Sequence, residues 1–211
     1  MRRFGRTVLL AVACATLSAG RASAAIIFSD NFDTNARALN TAPAGWTVTD
    51  GTVDIVGLGS FDSLCAGSPS PIACIDMDGS TSHAGTMNEN PLLGLLPGQT
   101  YTFSFWASGS QRGDTNTLHA GILAPSPIEE LALTLPSDSP WAPYSFNVSV
   151  GSPTSVQLYF KNDGGDNIGI LIDNVVVRSN DQAVPEPMSL SLLGSGLAGI
   201  VAVRRRRNGR A

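Results

Sequence analysis

Trp106, Trp141 and Tyr144 stand among segments rich in planar polar side chains, namely Gln111, Arg112, Asp114, Asn116, Asn162, Asp166 and Asn167. That combination suits a sugar. The C–H face of a pyranose stacks on an aromatic ring, while amide, guanidinium and carboxylate groups read its hydroxyls. The candidate ligand set is Trp141, Arg112, Asp114, Asn116, Asp166 and Asn167. It is carried mostly on two polar loops, residues 109–117 and 162–167, which would have to converge at one end of the fold. A competing reading uses the same residues structurally. Trp46 and Trp106 sit on strand patterns and serve as core, the Gly-Asp-Asn turns are ordinary hairpin chemistry, and Arg112 pairs with Asp166.

Catalysis has less to work with. The chain has two histidines, His83 and His119, and His119 falls in an alternating strand run where a structural position is expected. There is no Gly-x-Ser-x-Gly elbow, no His-Glu-x-x-His and no phosphate loop. Asp76/Asp78 and Glu129/Glu130 are carboxylates paired only along the sequence. Glycoside hydrolysis needs two carboxyls about 5–9.5 Å apart across a cleft. The segment Asp76-Met77-Asp78-Gly79-Ser80 has the opening of an EF-hand loop, but Met87 stands where the closing Glu belongs. No enzyme activity is expected, and a hydrolase is the weakest of the functional readings.

The elements that must position these residues lie between two terminal signals. Residues 1–24 carry Arg2, Arg3 and Arg6, an apolar run over 7–17, and Ala22-Ser23-Ala24, the layout of a signal peptide cut by signal peptidase before Ala25. At the other end, residues 181–187 form a linker containing Pro185, Glu186 and Pro187. An apolar run of 16 residues, 188–203, and a basic tail, 204–211, with Arg204, Arg205, Arg206 and Arg207 follow. As a helix the run would extend about 24 Å, a short single transmembrane span against a hydrocarbon core of about 30 Å. The arginine block would stay on the cytoplasmic side and leave the body of the protein outside.

Removing residues 1–24 and 185–211 changes the electrostatics. The whole chain carries −4, but nine of its 13 basic residues lie in the two signals. The remainder keeps four basic and 16 acidic residues, a net charge of −12. Such a surface repels nucleic acid and anionic lipid and suits a hard cation. Cys65 and Cys74 remain, nine positions apart, and an exported chain meets an oxidising compartment. They are expected to form a disulfide, contributing ~2–3 kcal/mol in the chain-entropy model.

Residues 25–180 make one all-β domain. Short runs recur between turn signals at 25–29, 46–49, 53–56, 72–77, 85–87, 100–107, 115–123, 130–135, 142–150, 155–161 and 168–177. Alternation is clearest in Tyr101-Thr102-Phe103-Ser104-Phe105 and Val156-Gln157-Leu158-Tyr159-Phe160. No amphipathic helix is evident inside the domain. Runs at this spacing predict two packed sheets, a sandwich or jelly roll.

Pro185-Glu186-Pro187, the apolar run and the terminal arginines resemble the PEP-CTERM sorting signal of Gram-negative bacteria. The resemblance implies recognition and processing by an exosortase, transient residence in the inner membrane, and delivery to the cell surface or extracellular matrix. Asn31-Phe32-Asp33, Ala44-Gly45-Trp46 and Asp173-Asn174-Val175-Val176-Val177 are similar to landmarks of the galactose-binding-like jelly rolls that include carbohydrate-binding modules. The first departs from that pattern by being shorter. This second resemblance implies a structural calcium tying the first strand to the last, with Asp33 and Asp173 at the matching positions and Asp30 completing the carboxylates. The expected protein is an exported, non-enzymatic surface component, structural or adhesive and associated with exopolysaccharide. The alternative is a carbohydrate-binding module.

Overall fold

The structure is a computed structural model that describes residues 24–180, apart from 58 and 60. The expected linker, C-terminal helix, sorting residues and basic tail, and the signal peptide up to residue 23, lie outside the described residues. Among the described residues no helix is long and apolar enough to cross a membrane.

Among the described residues, twelve strands and one helical turn follow in the order β1 (Ala25–Asp30), β2 (Trp46–Asp50), β3 (Asp54–Gly57), α1 (Asp62–Cys65), β4 (Ala73–Asp76), β5 (Thr86–Glu89), β6 (Leu93–Leu95), β7 (Thr100–Ser108), β8 (Asn116–Leu123), β9 (Pro127–Leu135), β10 (Ala142–Ser149), β11 (Thr154–Asp163) and β12 (Leu171–Ser179). They form two six-stranded sheets. The first runs β10-β7-β12-β4-β3 with β1 also on β12; the second runs β2-β5-β11-β8-β9 with β6 also on β11. All these pairings are antiparallel. The expected two-sheet sandwich is the observed one.

Alternation explains the packing. In β7, Tyr101, Phe103, Phe105 and Ala107 are buried while Thr102, Ser104 and Trp106 are half-buried on the opposite face. Phe160 of β11 brings the two sheets together. Its ring lies 5.6 Å from Phe103 and 5.1 Å from Phe105 of the facing sheet, and 5.9 Å from Trp46 of its own. Trp46 is therefore core, 6% exposed. Trp106 is not: it lies opposite Pro143 and Asp173 on the outward face.

Three strands break the alternation. Every residue of β3 and β4 is buried, and so are most of β12. The segment around α1 covers their outer face, where Val56, Leu64, Cys65, Cys74 and Leu171 form a second apolar cluster with Trp141 against it. Cys65 and Cys74 are bonded within this cluster, as expected. The single turn of α1 escaped the sequence reading because four residues carry no helical period.

Candidate functional site

At one end of the sandwich Trp141, just ahead of β10, is half-buried. Its indole N–H donates to the Leu64 carbonyl at 3.2 Å, which turns the ring against the disulfide cluster. Gly67 lets the ring lie close: a Cβ at that position would come within 3.3 Å of Trp141 Cδ1. Trp141 lines a cavity of about 500 Å³ with Gln111, Ser137, Asp138, Ser139 and Gly67. Gln111 is held in place by donating from Nε2 to Leu64 O at 3.2 Å and to Ser108 Oγ at 3.1 Å. Aromatic surface, an amide, a carboxylate and hydroxyls thus meet in one open pocket. Gln111 is among the sugar-suited residues of the sequence; Ser137, Asp138 and Ser139 join it only in the fold.

The loops over 109–117 and 162–167 do converge, but their polar groups turn inward. Arg112 pairs with Asp76, not with the expected Asp166. Asp76 is 1% exposed and also accepts from the backbone N–H groups of Asp78 and Gly169. Burial pushes its carboxyl up to about 7, against the pull of the Arg112 guanidinium. Asn116 is 3% exposed and donates from Nδ2 to Asp114 Oδ2 at 2.7 Å and to the Ile168 carbonyl at 2.6 Å. Asp166 Oδ1 accepts from the Ile168 N–H, and Asn167 Oδ1 from the Ser82 N–H. The expected ligand set therefore divides. Trp141 lines a pocket, whereas Arg112, Asp114, Asn116, Asp166 and Asn167 bond to the protein itself.

The three expected calcium ligands are also separated by their partners. Asp30 accepts from Trp46 Nε1 at 2.8 Å and from the Phe32 N–H at 2.8 Å. Asp33 accepts from Ser70 Oγ, from Asn31 Nδ2 at 2.9 Å and from the Ala73 N–H at 3.1 Å. Asp173, fully buried at a bulge of β12, accepts from Ser68 Oγ and from the Asn174 N–H. Burial and the nearby Asp33 charge push its carboxyl up to about 7. The disulfide loop, through Ser68 and Ser70, is what clamps the first and last strands here. Among the described residues, no three or more His, Cys, Asp or Glu side chains stand together as a metal-holding group. Asp33 and Asp173 lie close enough for their charges to interact, and each is bonded to a serine of the disulfide loop.

On the outer face of the second sheet His119 bridges two carboxylates, Glu130 on β9 at 2.9 Å and Asp163 on β11 at 3.0 Å. Tyr159 donates to Glu130, and Lys161 lies 3.2 Å from Asp163. Hydrogen bonding to Glu130 holds the His119 imidazole above its usual value; the Tyr159 hydroxyl and then His119 hold the Glu130 carboxyl below its own, and His119 does the same to Asp163. The alternation around His119 gave its face; the partners across the strands depend on register.

No curated protein matches the chain in sequence. Among solved structures, it is similar to the CBM22-1 xylan-binding domain of Paenibacillus barcinonensis Xyn10C, at 14% identity and a TM-score of 0.48, covering 78% of this chain and 100% of that one. It is similar also to the C-terminal family 22 carbohydrate-binding module of Clostridium thermocellum Xyn10B, at 16% identity and 0.48, covering 75% and 97%. A third is the K3 cleaved adhesin domain of Lys-gingipain from Porphyromonas gingivalis W83, at 17% identity and 0.47, covering 74% and 99%. At such values no ligand or residue role passes from them to this chain. The C-terminal residues are another matter. Residues 183–207 match the family described as the PEP-CTERM protein-sorting motif, so the chain carries that motif, which implies exosortase processing of an exported, cell-surface protein.

Proposed function

We propose that this chain is a non-catalytic component of the cell surface, which binds exopolysaccharide through the Trp141 pocket after its C-terminal signal has delivered it there. The observation that carries the reading is the pocket: a half-buried indole beside Gln111, Asp138 and two serine hydroxyls in about 500 Å³ of open cavity. The indole N–H is already bonded to Leu64 O, which fixes the ring. Sugar binding would therefore come from stacking on aromatic surface, with the loop groups reading hydroxyls. The surface charge supports the choice of a neutral or cation-associated glycan, since a domain at −12 repels free polyanions.

A glycan array probed with the full chain tests this. The reading expects binding to one or a few related glycans and its loss in Trp141→Ala at unchanged melting temperature. A wild-type chain that binds nothing on an array including the host's own exopolysaccharide fractions would overturn it.

A further inference from the structure

The outer face of the first sheet carries an arrangement that the sorting signal does not use and the Trp141 pocket only begins. Strand register sets its side chains in rows. Pro143 of β10 and Asp173 of β12 flank Trp106 of β7 in one row. Ser145 follows in the next row, and Asn147 and Arg178, on either side of Thr102, in the one after. Trp141 stands two positions ahead of Pro143, at the head of the same series. Continuing the register makes Trp141 and Trp106 diagonal neighbours on adjacent strands, about 7–8 Å apart at the backbone.

The fold makes little use of Trp106. Its ring packs against neither apolar cluster of the domain. Trp46 and Trp141 each donate the indole N–H to a protein oxygen, and among the described residues no such acceptor meets the N–H of Trp106. Small polar residues suffice at outward sheet positions, as Thr102 and Ser104 show on the same strand. An indole in that row leaves apolar surface for a partner to cover. Charge is sorted as well. The strands β7, β10 and β12 contain a single acidic residue, Asp173, and it is fully buried. Those of the second sheet carry Asp50, Glu89, Glu129, Glu130 and Asp163. In a domain at −12, β7, β10 and β12 therefore expose no carboxylate and one guanidinium, that of Arg178.

We propose that Trp106 is a second stacking platform, and that the outer face of β10, β7 and β12 binds a linear glycan running from the Trp141 pocket over Trp106 toward Asn147 and Arg178. The inference rests on the reading of the Trp141 pocket and extends it from a pocket to a track. Two indoles in diagonal positions are too far apart for one pyranose to cover both, so the ligand is a chain of sugars. Its C–H faces would lie on Trp141 and Trp106. Beyond them the Ser145 hydroxyl, the Asn147 amide and the Arg178 guanidinium, all exposed, would read hydroxyls. Asn147 Oδ1 accepts from Thr102 Oγ1 at 2.8 Å, which orients the amide and leaves its N–H groups to donate. Paired strands hold these groups in place before binding, so the ordering cost falls on the glycan.

The test is calorimetric titration of the full chain in detergent with a size ladder of oligosaccharides, cut from the host's own exopolysaccharide by partial acid hydrolysis, alongside thermal unfolding of every variant. The wild type is expected to gain about tenfold in affinity from disaccharide to hexasaccharide as the second indole is reached. Trp106→Ala should flatten that rise, and Trp141→Ala should weaken every length. Arg178→Ala should weaken the hexasaccharide alone, by about threefold, and keeps the test alive should Trp106→Ala fail to fold. A Trp106→Ala chain with the length dependence of the wild type overturns the inference and leaves the Trp141 pocket standing. So does a wild type that binds the disaccharide as tightly as the hexasaccharide. Binding that survives Trp141→Ala and is lost in Trp106→Ala overturns the pocket reading and leaves Trp106 as the platform. A wild type that binds no fragment overturns both.

Discussion

Glu89 gives the sharpest test of the packing. It closes β5 opposite Trp46 in the register and on the same side of the strand as Met87, so its carboxyl enters the core side of the sheet. It is 1% exposed, and its Oε2 has no hydrogen-bond partner. Burial pushes its carboxyl from 4.5 up to about 7, while a backbone N–H from Leu158 pulls more weakly the other way. The native state therefore keeps this proton over a range in which the unfolded chain has released it. Stability from this group is fully present below the unfolded value and is lost as pH rises through about 7. A shift of this size converts at 1.36 kcal/mol per unit to an upper limit of about 3 kcal/mol, and relaxation of the strand end reduces it to about 2 kcal/mol. Glu89→Gln has nearly the same shape and no charge. It should match the wild type at pH 4 and exceed its unfolding free energy by about 2 kcal/mol at pH 8. The assay is urea unfolding of both chains at the two pH values, read as paired differences, because burial raises Asp76 and Asp173 in the same direction. A Glu89→Gln chain as pH-sensitive as the wild type, or less stable at pH 8, would refute the reasoning.

Other outcomes follow from the same structure. His119 has a raised folded value, so its contribution is present below about 6.5 and is lost as pH rises through that folded value; His119→Gln should cost less than about 1 kcal/mol, and only at acid pH, in thermal melts at pH 5.5 and 8.5. Opening the Cys65–Cys74 bond by the double change to serine should lower unfolding free energy by ~2–3 kcal/mol and loosen the loop that Ser68 and Ser70 pin to Asp173 and Asp33, read by hydrogen exchange over residues 66–72. Changing Pro185 and Pro187 together to alanine should leave an unprocessed precursor in the membrane fraction, seen by immunoblot.

The strands were legible where one face meets the core and the other meets water. Tyr101-Thr102-Phe103-Ser104-Phe105 announced β7, and Val156-Gln157-Leu158-Tyr159-Phe160 announced β11. Leu93-Gly94-Leu95 was passed over as β6 because three residues with a central glycine show no period. Trp106 read as possible core because its strand is apolar, but the pleat puts it on the side opposite Phe105. The disulfide was legible from two cysteines in an exported chain. The site was legible in its residue types and not in its pairings. Arg112 reaches Asp76 across 36 positions and Ser68 reaches Asp173 across 105, and both depend on how loops close over strands whose register a bulge after Asp173 resets. No local pattern encodes that.

The central claim is that this sandwich is made for delivery to the cell surface, with its terminal signals removed. Mass spectrometry of the protein recovered from the surface of its host measures this most directly. The account predicts a chain that begins at Ala25, ends within a few residues of Pro187 and carries the Cys65–Cys74 bond. An intact chain ending at Ala211 and confined to the inner membrane would contradict it.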